Sequence, residues 1–220
     1  MGLIPEEHKQ HLKGEFEKNL KDEVRILVFT QEVECPACSQ VRELAEEVGA
    51  VSNKVKVEVY DFVKDGDKAK EYQIDKVPAI AVIGKRDYGI RFYGFPYGYE
   101  FSPFIDSIIN VSRGATNLSE ETRKKLMSIE KPVHIQVFVS LTCPYCPRVT
   151  SLAHQFAIEN ALIKADMVDA AEFPYLVQKY SIMSVPKTVI NEKTEFLGAV
   201  PEELFVQQIL FAQKPSSIYV

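Results

Sequence analysis

The sequence predicts an α/β fold built twice in tandem, and three observations predict it. Two Cys-x-x-Cys motifs, Cys35-Pro36-Ala37-Cys38 and Cys143-Pro144-Tyr145-Cys146, start 108 residues apart. The dipeptides Val77-Pro78 and Val185-Pro186 recur at the same spacing. In each half the motif stands between an apolar run of strand length and a stretch whose apolar residues fall at helical spacing.

Residues 5–20 are polar and helix-like, and residues 24–29 form the first apolar run. After the first motif, Val41, Leu44, Ala45 and Val48 mark one face of a helix. Residues 55–60 alternate as a strand does, and a polar segment ends at Tyr72. Val77-Pro78 then leads into strands at 79–83 and 89–93 and a helix at 101–111. The second half repeats this order: a helix at 119–129 opened by Ser119 with Glu120 and Glu121 in its first turn, a strand at 133–139, the motif, and Val149, Leu152, Ala153 and Phe156 at helical spacing. Strands at 163–168, 188–190 and 195–198 and a helix at 201–211 complete it. Tyr72-Gln73-Ile74 and Tyr180-Ser181-Ile182, and Asp61 and Asp169, extend the match. The boundary is placed near Thr116, giving units 1–116 and 117–220. The small polar stretch 112–117 is too short for a flexible tether, so the units are expected to pack together.

Composition narrows the functional classes. With 46% hydrophobic and 26% charged residues, the 220-residue chain reads as globular, with length for two domains of roughly 100–150 residues. A net charge of −5 and no long basic run argue against a nucleic-acid partner. No apolar stretch approaches the roughly 18 residues that cross a bilayer, so no membrane partner is expected and the cytoplasm is the default location.

All four cysteines lie in the motifs, so sulfur chemistry is the first functional hypothesis. A thiolate at a helix N-terminus faces unpaired N–H groups and the positive end of the helix dipole, which favour the charged sulfur. Cys35 and Cys143 are therefore the expected nucleophiles, attacking a disulfide to form a mixed disulfide that Cys38 or Cys146 resolves from one turn on. Pro36 and Pro144 suit a first helical turn because they lack an N–H that would be unpaired there. Pro78 and Pro186 each follow their first cysteine by 43 residues and precede a strand. A cis bond is expected at each, turning the backbone of Val77 and Val185 outward so that an extended substrate can pair with it.

A Cys-x-x-Cys after a strand, opening a helix, with Val-Pro 43 residues on, resembles the thioredoxin superfamily. The Cys-Pro-Tyr-Cys form resembles glutaredoxin. Two such units resemble the protein disulfide oxidoreductases, or glutaredoxin-like proteins, of hyperthermophilic archaea and bacteria, across essentially the whole chain. The resemblance implies two thioredoxin-like units, each a mixed sheet flanked by helices, that reduce, oxidise or rearrange protein disulfides. It implies disulfide-containing or dithiol protein substrates and a thioredoxin-reductase-like flavoenzyme as electron donor, with no bound cofactor or metal. An alternative is an electron-transfer adapter serving a peroxiredoxin, and a third reading is a non-redox zinc-binding or holdase module. Zinc is disfavoured because 104 residues separate the cysteine pairs, against roughly 15–20 in a zinc ribbon.

Departures from the family pattern set further expectations. Thioredoxins carry a buried Asp six residues before the first cysteine, where this chain has Phe29 and Val137. Glu32 and Glu34 are candidate proton acceptors at the first site, and the second has no acid nearby in sequence. The same two glutamates oppose a Cys35 thiolate, whereas Cys143 has Arg148 nearby, so Cys143 is expected to be the more acidic thiol. Asp61 and Asp169 read as turn or capping residues, and His8, His11 and His154 as structural. Tyr93, Phe95, Tyr97, Tyr99 and Phe101 alternate with other residues after the last strand of the first unit. They read first as packing, and second as an apolar face that would let the first site take large apolar substrates better than the second.

Overall fold

The computed structural model describes residues 2–213; Met1 and residues 214–220, the extreme ends of the two predicted units, lie outside the described residues. The first half runs α1 (Glu6–Asn19), β1 (Val24–Thr30), α2 (Cys38–Ala50), β2 (Val55–Asp61), α3 (Gly66–Glu71), β3 (Ala79–Ile83), β4 (Asp87–Tyr93), a 3-10 turn (Gly98–Glu100) and α4 (Phe101–Arg113). The second runs α5 (Glu120–Met127), β5 (Val133–Val139), α6 (Cys146–Glu159), β6 (Ile163–Asp169), α7 (Pro174–Lys179), β7 (Lys187–Ile190), β8 (Thr194–Leu197) and α8 (Glu202–Ala212).

All eight strands form one mixed sheet in the order β2-β1-β3-β4-β6-β5-β7-β8. Within each half the first two strands pair in parallel and the rest antiparallel. The halves join through a parallel pairing of β4 with β6, which sets Arg91 opposite Asp166. The expected packing of the halves is thus a shared sheet. Strand β1 is apolar nearly throughout because helices cover both faces of the sheet interior, while β2 at one edge alternates buried Val55 with Lys56 and Glu58.

One apolar cluster runs across the seam on one face, with Phe92, Phe104 and Ile108 of the first half and Val137, Ala153 and Phe156 of the second. A second, on the opposite face, joins Phe29, Tyr93, Phe138 and Phe173. Helices α4 and α6 meet over the seam, where the His154 ring lies edge-on to Phe92 at 4.7 Å and its Nδ1 is 3.0 Å from Ser107 Oγ. Polar contacts also cross it: Lys164 Nζ donates to the Gln73 carbonyl at 3.2 Å. Within the second half, Asp166 at the seam is 2.5 Å from His134 Nε2.

Local signals account for several boundaries. The Ser119 hydroxyl accepts from Thr122 N–H at 3.2 Å, which caps α5, and Gly114 at φ 60° ends α4 in the left-handed conformation a side chain disfavours. The short helices α3 and α7 leave no mark in the sequence pattern, because six residues hold too little periodicity to register. The duplication is also not rigid. Phe29 pairs with Ala79 as Phe138 pairs with Lys187, so β1 and β5 correspond at a spacing of 109 residues while β3 and β7 keep 108, and the loop into Cys35 is one residue longer than the loop into Cys143. The longer loop holds Glu34 at φ 59°, a conformation uncommon for a residue with a side chain.

Candidate active site

Each motif is closed as a disulfide, with Cα separations of 5.4 and 5.5 Å. Helices α2 and α6 begin at the second cysteine, one turn later than the spacing predicts, so Cys35 and Cys143 sit in the turn that feeds the helix. Cys38 N–H donates to the Cys35 carbonyl at 3.2 Å and Cys143 N–H to that of Ser140 at 3.0 Å. In each pair the second cysteine is the more buried, Cys146 completely so. A partner therefore reaches Cys35 and Cys143 first. Cys38 Sγ accepts from the Gln31 N–H at 3.3 Å, a contact that would favour a thiolate there once the disulfide opens.

The Val77-Pro78 and Val185-Pro186 bonds are both cis. Cys143 Sγ lies 3.8 Å from the Val185 carbonyl oxygen, which brings the predicted backbone contact against the predicted nucleophile. Both prolines are held from behind: Pro78 O accepts from Gly94 N–H at 3.0 Å and Pro186 O from Gly198 N–H at 2.8 Å.

The aromatic segment crosses the seam. It leaves Pro78 at Gly94, stacks Phe95 on Tyr97 with ring centroids 5.1 Å apart, and ends where Tyr99 N–H donates to the Leu141 carbonyl at 3.1 Å. Leu141 is two residues before Cys143. Gly98 is required there, since its φ is 60° and a Cβ would stand 2.5 Å from the Leu141 oxygen. Tyr93 and Phe95 are buried, as the packing reading holds, and Tyr99 is half exposed beside the second site rather than the first.

The same turn delivers a carboxyl that sequence reasoning missed. Glu100 is fully buried and neither of its oxygens completes a hydrogen bond. It lies beside Thr150 of α6, one helical turn beyond Cys146. Burial, with the Asp169 charge adding, raises its carboxyl to about 7, while the Thr150 hydroxyl works against the rise. The sequence offers the second site no acid close to Cys143, and this carboxyl reaches α6 from the other half. Its signal in the sequence is a lone charge inside the aromatic run Tyr97 to Phe101.

Of the carboxyls proposed for the first site, Glu32 is exposed and paired with Lys64 at 3.0 Å, and Glu34 is exposed. Asp61 accepts from the N–H groups of Val63 and Lys64, and Asp169 from that of Ala171, the turn roles expected of them.

Comparison with known proteins agrees with the geometry. The thioredoxin domain family matches residues 133–211. A protein disulfide oxidoreductase from Aeropyrum pernix superposes with a TM-score of 0.88 at 30% identity, covering 95% of this chain and 93% of that one. The alkylhydroperoxide reductase component AhpF from Enterococcus faecalis superposes at 0.86 with 27% identity, over 94% of this chain and 99% of that chain. Among curated sequences, an NADH dehydrogenase of Ferdinandcohnia aciditolerans is 26% identical over 167 residues, 76% of this chain but 30% of its own length. The chain spans less than a third of the length of the first such relatives it matches.

Proposed function

Because this chain belongs to the thioredoxin superfamily, in its tandem two-unit form, we propose that it is a protein disulfide oxidoreductase working through Cys35/Cys38 and Cys143/Cys146. The units are 1–116 and 117–220, although the seam makes them one sheet. The observation that supports the reading is the approach of Cys143 Sγ to the Val185 carbonyl, 3.8 Å away, a geometry that suits a sulfur nucleophile working beside a backbone edge that holds an extended substrate.

Exchange takes two steps. The Cys143 thiolate attacks one sulfur of a substrate disulfide, and the other sulfur leaves as a thiolate that takes a proton. Cys146, losing its proton, then attacks Cys143 of the mixed disulfide, releasing the second substrate thiol and closing the protein disulfide. Glu100, buried beside Thr150 one turn of α6 beyond Cys146, is our candidate proton acceptor for Cys146, and its raised pKa suits that role. The first site runs the same two steps with Cys35 and Cys38, with Val77 and Pro78 in the places of Val185 and Pro186. The return electrons come from a thioredoxin-reductase-like flavoenzyme, and the cytoplasm is the compartment. Among the described residues no helix is long and apolar enough to cross a membrane.

A second reading, transfer of electrons to a peroxiredoxin, is favoured by the likeness to AhpF of alkylhydroperoxide reductase. The test is the reduction potential of each dithiol in variants with the other pair changed to Ser, together with reduction of insulin and of an oxidised peroxiredoxin. Values near roughly −270 mV fit a reductant or peroxiredoxin donor, and a site near roughly −180 mV or above fits disulfide formation and isomerisation. Failure of both pairs to cycle refutes the proposal.

A further inference from the structure

The two sites carry opposite chemistry at equivalent positions. Around the first stand Glu32, with 80% of its side chain exposed, Glu34 beside Cys35, Asp61, and Asp75, 72% exposed, two residues before Val77. Two cations accompany them: Lys64 pairs with Glu32 and Asp61, and Lys76, buried against the Tyr93 ring 3.6 Å from its centroid, pairs with Asp75 at 2.7 Å. Two negative charges remain. The repeat replaces Glu34 by Thr142, Asp75 by Met183, Lys76 by Ser184 and Ala37 by Tyr145. Met183 is 92% exposed, Tyr145 69% and Tyr99, brought over from the first half, 52%. The exposed apolar side chains of the first site, Val33 and Val63, are smaller.

Glu34, Ala37, Asp75 and Lys76, and their counterparts Thr142, Tyr145, Met183 and Ser184, flank the path a substrate strand would take, because they lie inside the motif, next to its first cysteine, or just before the Val-Pro edge. We propose that the sites divide their partners by what flanks the disulfide: the first takes disulfides neighboured by Lys or Arg, the second disulfides neighboured by large apolar side chains in an extended chain. This rests on the thiol exchange proposed above and assigns the apolar partner to the second site, the reverse of the sequence expectation. Charge complementarity at the first site acts through the solvent and is screened by salt. Apolar contact at the second is not, and burying one large side chain against Tyr145 and Met183 is worth on the order of tenfold.

The test uses the full chain with one pair changed to Ser, pre-reduced and mixed with two synthetic peptide disulfides that differ only in Lys or Leu beside the cysteine, and with hydroxyethyl disulfide as a small neutral probe. Each reaction consumes one protein dithiol and one peptide disulfide and yields a protein disulfide and two peptide thiols. The first site is expected to favour the Lys peptide by about tenfold in second-order rate at low ionic strength, falling toward parity in high salt. The second is expected to favour the Leu peptide by about tenfold with little salt dependence. Asp75→Met and Met183→Asp should each move the ranking toward that of the other site. If neither dithiol reacts with hydroxyethyl disulfide, the exchange reading itself fails. If both react with it but rank the peptides alike, or the two substitutions leave the rankings in place, the division of partners is overturned.

Discussion

Replacing Glu100 by Gln isolates the cost of a buried carboxyl. In the folded chain its pKa is raised from 4.5 to about 7. Below pH 4.5 the group is protonated in both states and contributes nothing. Between 4.5 and 7 the unfolded chain ionises while the folded one holds its proton, so folding is progressively penalised. Above 7 the penalty is constant at about 2.5 pK units, roughly 3 kcal/mol. Gln is close in shape to the protonated acid, so at pH 4 the variant should match the wild type. At pH 8 it should be more stable by about 3 kcal/mol, roughly 6–12 °C in Tm for a chain of this size. Thermal and denaturant unfolding at both pH values reads this directly. A gain of equal size at pH 4 and pH 8, or a loss at pH 8, would refute the account. The same variant should slow ring closure by Cys146 near neutrality while Cys35 and Cys38 react as before.

His154 has the opposite sign: burial lowers its pKa from 6.5 to about 4, against the nearby Asp166 charge, so stability present above 6.5 is lost as pH falls to 4, by roughly 3 kcal/mol. His154→Asn should flatten that acid limb in unfolding measurements, and an unchanged limb would place the loss elsewhere. Gly98→Ala must push a Cβ against the Leu141 oxygen at positive φ, a strain of about 1–3 kcal/mol, and is expected to move the reduction potential of Cys143/Cys146 while leaving Cys35/Cys38 in place. Equal movement at both sites, or none, would show that the segment does not act on the second site. Cys143 should also be alkylated at lower pH than Cys35 in single-site variants, because Lys64 offsets Glu32 but leaves Glu34 beside Cys35; equal or reversed profiles would sink that ordering.

The tandem fold was legible because both its signals are local. Cys35 to Cys38 and Cys143 to Cys146 mark strand-to-helix turns, and Val77-Pro78 and Val185-Pro186 mark the strands that face them. Helix α3 escaped because six residues around Gly66–Glu71 carry one buried side chain, Ala69. The one-residue slip between Phe29 and Phe138 escaped because counting from cysteine to cysteine cannot see which residues pair across the sheet. Glu100 escaped for a different reason. Its environment is made by Thr150 and Asp169, far along the chain, and a carboxyl looks exposed in sequence until the opposite half covers it. The functional alternative for the aromatic run looks to the site nearest in sequence, whereas Gly98 carries the run over to Leu141.

The seam joins unlike edges, a β4-type strand to a β6-type strand, and so the outer margins of the sheet are again one of each: β8 corresponds to β4, and β2 to β6. A heterologous joint of this kind does not close on itself, and a second molecule translated along the sheet could add to it without limit. Where the internal joint sets Arg91 opposite Asp166, that translation would set Glu195 opposite Glu58. Like charges face each other there, each already engaged along its own sheet, Glu195 with Lys187 and Glu58 with Arg25. Changing Glu195 to Arg should therefore make mass rise with concentration in sedimentation, and a constant mass would assign the termination to the shortness of β8 instead. A chain made by joining two copies of one module thus carries, at equivalent register positions, opposite charges where its halves meet and like charges where a third module would add.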